Sequence, residues 1–261
     1  MAGYSVFVAL HIAGGAVALA AFWSAALLRK GSPAHRLVGR GYLLAMLAVI
    51  ASGVPLTAQR LIDGHPVGAT FLAYLLLLVS TSVWLSWRAI RDRQDPSAYL
   101  GRVYGLLAYA NPLAGLAVLA LGIDRGQPLL TGFSLVGVMV GVDMLRRRRV
   151  IPTQPRWWLE EHYSAMVANG AATHIAFLAI GLPRLLPVLQ GQGWYYAGWF
   201  APVLLAIVAK AWLNRRFRLP AGGTAQTSPS LSQPSPVPRL QTRSPSSTSP
   251  AGTDSSRASR S

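Results

Sequence analysis

The sequence RWWLEEHYSAMVANGAATHIAFLAIGLP, residues 156–183, is where the fold of this chain can be read most directly. It is long and apolar enough to cross a lipid bilayer as a helix, which takes about 20 residues. Yet it contains His162, His174 and the pair Glu160 and Glu161. Ionisable side chains inside a membrane span are costly and are usually functional. The stretch therefore predicts a membrane helix and makes its histidines candidates for a functional site.

The composition extends this prediction to the whole chain. Of its 261 residues, 52% are hydrophobic and only 12% are charged, whereas soluble domains carry about 25% charged residues. Apolar runs of about 20 residues recur without the alternation that a membrane β-barrel requires. We therefore predict an all-α polytopic membrane protein, a bundle of seven transmembrane helices. The predicted spans are about residues 4–28, 35–58, 67–90, 100–122, 128–146, 157–182 and 194–213.

Lysine and arginine are distributed unevenly between the two ends of these spans. The loops after spans one, three and five, with the segment after span seven, contain seventeen of them, and the opposite loops contain three. Because positive loops stay in the cytoplasm, we predict an N-terminus outside, a cytoplasmic C-terminus and a location in the bacterial inner membrane. The net charge of +16 then reflects contact with the lipid bilayer, and no nucleic acid partner is expected.

The character of the sequence changes after residue 218. Residues 219–261 contain twelve serines, seven prolines and no aromatic residue, so they cannot bury a hydrophobic core. We therefore predict two parts, a seven-helix transmembrane domain over residues 1–218 and a disordered, Ser/Pro-rich basic tail over residues 219–261.

The chain contains no cysteine. This excludes disulfides, thiolate metal sites, iron–sulfur clusters and thioether-linked haem. Histidine and carboxylate side chains remain as possible ligands for a cofactor.

Four of the five histidines fall into two pairs by predicted depth. At about 1.5 Å per residue, His11 and His174 lie roughly 10 and 12 Å from the outer ends of their spans, and His35 and His162 lie near the cytoplasmic ends. Two such pairs are what a b-type cytochrome needs for the axial ligands of haem b. The sequence thus favours a haem-binding electron-transfer protein with quinone or another redox partner. The alternative is that these histidines only form hydrogen bonds to neighbouring helices.

The spacing within the sixth span limits this hypothesis. His162 and His174 are twelve residues apart, which places them about 120° apart around a helix. They should therefore face different neighbours, and the outer pair, His11 and His174, is the better candidate for one haem. Small residues near these histidines, such as Gly14 and Gly170, leave room for a macrocycle but equally allow close helix packing.

A second hypothesis uses the charged residues near the cytoplasmic face. His35, His162, Glu161 and Asp143 combine imidazole and carboxylate groups, which can hold zinc or another divalent metal. The chain would then be a metal-dependent membrane enzyme or transporter. Alternatively, these carboxylates pair with the arginines at positions 146–149 and 156. A third hypothesis is a structural or interaction protein whose histidines only pack.

Three segments together resemble an uncharacterised family of bacterial multi-pass membrane proteins with a domain of unknown function. They are the first span with His11, the helix start His35-Arg36-Leu-Val-Gly39-Arg40-Gly-Tyr42, and His162-Tyr-Ser-Ala-Met166 with the later His174-Ile-Ala-Phe177. The resemblance covers roughly residues 1–185 and leaves out the tail. It implies an integral membrane protein without an established activity, and it draws attention to the same four histidines.

Overall fold

The structure is a computed structural model, and it describes residues 2–217. The predicted tail, residues 219–261, lies outside the described residues. Seven helices are long and apolar enough to cross a membrane, and residues 2–217 contain no β-strand. The prediction of an all-α chain with seven helices of spanning length is therefore confirmed.

The spanning helices are α1 (Ala2–Leu27), α2 (Pro33–Ile62), α3 (Pro66–Arg91), α5 (Arg102–Asp124), α6 (Pro128–Val150), α7 (Trp157–Ile175) and α9 (Gln192–Phe217). Helix α7 continues through a π-helical segment, Ala176–Gly181, into α8 (Leu182–Leu185). The remaining elements are the single turn α4 (Pro96–Tyr99) and two 3₁₀ segments, Ile151–Thr153 and Pro187–Leu189.

Proline and polar caps define where several helices begin. Helices α2, α3, α4 and α6 each start with a proline, whose fixed φ suits the first helical position and whose missing N–H needs no partner there. The Ser32 side chain accepts a hydrogen bond from the His35 N–H, and Asp95 accepts from the Ser97 and Ala98 N–H groups. Inside α2, Pro55 does not end the helix, so α2 is longer than predicted.

Successive spanning helices run in opposite directions, so their ends form two faces. Helices α1, α3, α6 and α9 end at one of these faces, and α2, α5 and α7 begin there. We call it the basic face. Side-chain contacts join these ends: His35 to Ala25, His162 to Ser86, and Lys210 to Asp143. Helix α3 packs against α2, α5 and α7, and α7 packs against α1, α3 and α9. Helices α3 and α7 therefore form the centre of the bundle.

Helices α5 and α6 approach each other most closely through glycines. A Cβ atom added to Gly115 would lie 2.8 Å from the Ser134 carbonyl oxygen, and one on Gly122 would lie 2.7 Å from the Thr131 nitrogen. On α6, Gly137 and Gly141 make similar approaches to the Asn111 carbonyl and to the Pro112 ring. Small residues permit such backbone contact between membrane helices, and they hold these two helices together as a hairpin.

Candidate functional site

His35 lies in the first turn of α2, beside the last turn of α1. Its Nδ1 atom is 3.0 Å from the carbonyl oxygen of Ala25. Because a carbonyl only accepts hydrogen bonds, Nδ1 carries the proton and Nε2 keeps its lone pair. The side chain of Lys30 donates to the carbonyl oxygens of Ala25 and Ala26, at 2.8 and 2.7 Å. His35 and Lys30 thus satisfy carbonyl groups that the end of α1 leaves without helical partners.

His162 lies in the second turn of α7 and has the same tautomer. Its Nδ1 atom is 3.1 Å from the carbonyl oxygen of Ser86 on α3, so its Nε2 atom also keeps a lone pair. His35 and Lys30 lie within electrostatic range of His162. Within residues 2–217, neither Nε2 atom has a hydrogen-bond partner. The structure therefore presents two oriented imidazoles at the basic face, one on α2 and one on α7, each with an available nitrogen.

The surface of α2 next to His35 is open. Gly39 lies four residues after His35, on the same side of the helix, and a Cβ atom added there would meet nothing within 4 Å. The two histidines are only partly buried. The side of α2 that carries His35 is therefore not covered by another helix at Gly39.

The structure does not bring His11 and His174 together. His11 contacts Ser52 on α2, with Nδ1 3.1 Å from Oγ. His174 contacts Trp23, which lies twelve residues after His11 on α1, a separation of about 18 Å along the helix axis. Both ring nitrogens of His174 are engaged, since Nε2 accepts from the Trp23 indole at 3.0 Å and Nδ1 donates to the Gly170 carbonyl at 2.7 Å. One haem between His11 and His174 does not fit this arrangement.

The depth estimate failed because the sixth span is longer than the bilayer is thick. It runs for 29 residues, from Trp157 to Leu185, or about 43 Å at 1.5 Å per residue. The hydrocarbon core measures about 30 Å, so a helix of this length has to tilt or extend beyond the bilayer. Counting residues from its end therefore misplaced His174 relative to its neighbours.

The residues predicted to form a divalent-metal site lie in three separate parts of the structure. Glu161 accepts a hydrogen bond from the Tyr99 hydroxyl at 2.6 Å and forms an ion pair with Arg147. Asp143 instead forms an ion pair with Lys210 at 2.7 Å. Glu161 and His162 are consecutive, so they point about 100° apart around α7. Residues 2–217 contain no group of three or more His, Asp or Glu side chains that could hold a metal ion. His35, His162, Glu161 and Asp143 therefore do not form one site.

The carboxylates of α7 belong instead to a partly buried ion network. Arg147 on α6 pairs with both Glu160 and Glu161, and Gln154 donates to Glu160 at 2.9 Å. The interpretation that these glutamates pair with arginine is confirmed, while Asp143 pairs with a lysine of α9. Burial, and then the adjacent Glu161 carboxylate, raise the pKa of Tyr99 above its ordinary value, so its hydroxyl stays protonated and can donate. We call these residues, Tyr99, Arg147, Gln154, Glu160 and Glu161, the Arg147 network.

Polar residues continue from His162 along one side of α7. Asn169 and Thr173 follow at intervals of seven and eleven residues, which returns them to nearly the same side of the helix. Asn169 accepts from Ser82 at 2.6 Å, and Thr173 lies 3.2 Å from the Tyr42 hydroxyl. Sequence reasoning missed this stripe, although its spacing was visible. The stripe makes the contact of α7 with α2 and α3 polar.

No family model matches this chain, and neither the curated proteins nor the solved structures contain a match.

Proposed function

We propose that this protein binds one haem b through His35 and His162. The observation that supports this is the pair of imidazoles on α2 and α7, each with Nδ1 held by a backbone carbonyl and Nε2 available. A b-type haem takes two such nitrogens as axial ligands, whereas a zinc site takes three or four protein ligands. Residues 2–217 contain no group of three His, Asp or Glu side chains that could hold a metal ion, so a pair of histidines favours haem over a divalent metal.

The surroundings of the two histidines suit an anionic macrocycle. The carbonyl groups of Ala25 and Ser86 fix the orientation of the two rings, as neighbouring acceptors do for ligating histidines. Lys30, together with Arg29 and Arg36 near the start of α2, supplies positive charge for the haem propionates. When bound, the haem would supply one-electron transfer, with quinone or another redox partner exchanging the electron near the basic face. Membership of the family that the sequence resembles stays a prediction.

The absorption spectrum of the purified full-length protein tests this proposal. Expressed with ample haem precursor, the protein should show Soret and α bands and about one haem per chain, which two axial histidines would hold. His35→Ala and His162→Ala should each remove most of this absorbance. His11→Ala and His65→Ala are matched controls, because neither residue lies at the proposed site, and both variants should keep the bands.

Other outcomes of this experiment would contradict the haem proposal. A colourless wild-type protein, or bands that are lost in His11→Ala and kept in His162→Ala, would contradict it. Stoichiometric zinc in a colourless protein, lost in His162→Ala, would support the metal-dependent enzyme or transporter. A protein with neither haem nor metal would leave a structural or interaction role.

The proposed location is the bacterial inner membrane, with the basic face in the cytoplasm. Seven helices of spanning length and the concentration of arginine at one face support it. A green fluorescent protein fused after residue 261 should fluoresce, and a periplasmic phosphatase fused there should be inactive. Fusions of both reporters after Asp63, in the turn between α2 and α3, should behave in the opposite way. An active phosphatase at the C-terminus would contradict this orientation.

A further inference from the structure

A groove between α5 and α6 opens at the basic face and is lined by neither His35 nor His162. It is lined by Tyr109 of α5 and by Leu145, Arg148 and Arg149 of α6, and its volume is about 510 Å³. Leu145 lies three and four residues before the two arginines, so all three share one side of α6. We call this feature the α5–α6 groove.

Within residues 2–217, the charge of the groove is not compensated. Arg147 is neutralised by Glu160 and Glu161, but Arg148 and Arg149 are exposed and form no ion pair within residues 2–217. The Tyr109 hydroxyl likewise has no hydrogen-bond partner in this part of the chain, and the residue is 55% exposed. The groove therefore presents two guanidinium groups and a phenol to an external anion.

The position of the groove corresponds to the boundary between lipid headgroups and acyl chains. Arg148 lies two residues before the end of α6, and Tyr109 lies seven residues, about 10 Å, inside the start of α5. Tyrosine and arginine are favoured at this depth. Further into the bundle, Leu113 and Leu116 of α5, on the same side as Tyr109, are exposed together with Val142 of α6. A ligand with an anionic head and apolar chains would meet complementary groups along this whole surface.

We propose that the α5–α6 groove binds an anionic phospholipid. Arg148 and Arg149 contact the phosphate oxygens, the Tyr109 hydroxyl donates to the phosphate or the glycerol, and Leu145 contacts the start of the acyl chains. Basic pockets between membrane helices recognise such headgroups. The C-terminal residues 219–261 of this chain are a poor alternative occupant, because they carry four arginines and one aspartate and would be repelled by the same charges.

Native mass spectrometry of the full-length protein tests this binding. The protein in detergent is mixed with dioleoyl phosphatidylglycerol or, separately, with dioleoyl phosphatidylcholine. The wild type should retain phosphatidylglycerol in clear preference, and Arg148→Gln/Arg149→Gln should reduce this retention at least about tenfold, as expected for the loss of two interfacial arginines. Tyr109→Phe should give a smaller reduction. Arg215→Gln/Arg216→Gln, with the same change of charge at the end of α9, should retain the lipid like the wild type.

Three outcomes would overturn the proposal. The first is equal loss of lipid in the Arg215/Arg216 variant, which would indicate a response to total charge. The second is complete displacement of phosphatidylglycerol by millimolar inorganic phosphate, which would indicate a site for the free anion. The third is unchanged retention in the Arg148/Arg149 variant. The thermal unfolding of the Arg148→Gln/Arg149→Gln variant is measured in parallel. An unchanged unfolding midpoint shows that its loss of lipid is not caused by misfolding.

Discussion

Replacing Arg147 by alanine should lower the free energy of unfolding by about 3–5 kcal/mol, because it leaves two carboxylates without their cation. Glu161 is only 6% exposed, and Arg147 pairs with it and with Glu160 across the turn from α6 to α7. The Tyr99 hydroxyl would remain as a partner of Glu161, but one neutral donor does not replace a guanidinium. The main effect is therefore the cost of an uncompensated buried charge.

The melting of the tertiary structure in detergent measures this effect. The chain has eight tryptophans and no cysteine, so intrinsic fluorescence is suitable and thiol-reactive dyes are not. A loss of this size should lower the unfolding midpoint by roughly 10 °C. Arg148→Ala is the matched control, since this neighbouring arginine is exposed and forms no ion pair within residues 2–217, and its effect should stay within about 0.5 kcal/mol.

A triple variant distinguishes lost charge pairing from lost packing. Arg147→Met with Glu160→Gln and Glu161→Gln removes all three charges of the Arg147 network and keeps side chains of similar volume. Replacing a buried ion network by neutral groups is often nearly neutral for stability, so this variant should recover most of the lost stability. If Arg147→Ala and Arg148→Ala were equally stable, the Arg147 network would not stabilise the fold.

Replacing Gly141 by alanine should lower the free energy of unfolding by about 3 kcal/mol, at the upper end of the range for overpacking. The new methyl group would overlap the ring of Pro112, and it would lie 2.9 Å from the Ala108 carbonyl oxygen. Neither neighbour can move independently of α5, because one is a ring fused to the backbone and the other is backbone. The two helices would have to separate.

Gly105→Ala is the matched control, with the same change on the facing helix. A Cβ atom at Gly105 would meet nothing within 4 Å, and alanine is favoured over glycine in a helix by about 1 kcal/mol. Gly105→Ala should therefore leave the midpoint unchanged or raise it. Only Gly141→Ala should therefore lower the fluorescence midpoint. A Gly141→Ala protein as stable as Gly105→Ala would mean that α5 and α6 are not held at this distance.

The candidate site shows where prediction from sequence stops. His35 and His162 lie close to helix ends, so short residue counts placed both near the basic face. His174 lies far from either end of a 29-residue span. Its contact with Trp23 therefore depends on how that helix tilts. The adjacent residues Glu161 and His162 looked like partners in one metal site, but the helical rotation between them directs one to Arg147 and the other to Ser86.

The sequence by itself determined the features that depend on local chemistry. Apolar runs fix the seven helices, prolines and polar caps fix where several of them begin, and the excess of arginine distinguishes the two ends of the bundle. Only the tertiary structure decided which neighbour each histidine contacts and which arginine pairs with the glutamates of α7. These contacts depend on the tilt and rotation of whole helices, which are set by packing over many residues, such as the glycines between α5 and α6, and not by any single stretch of sequence.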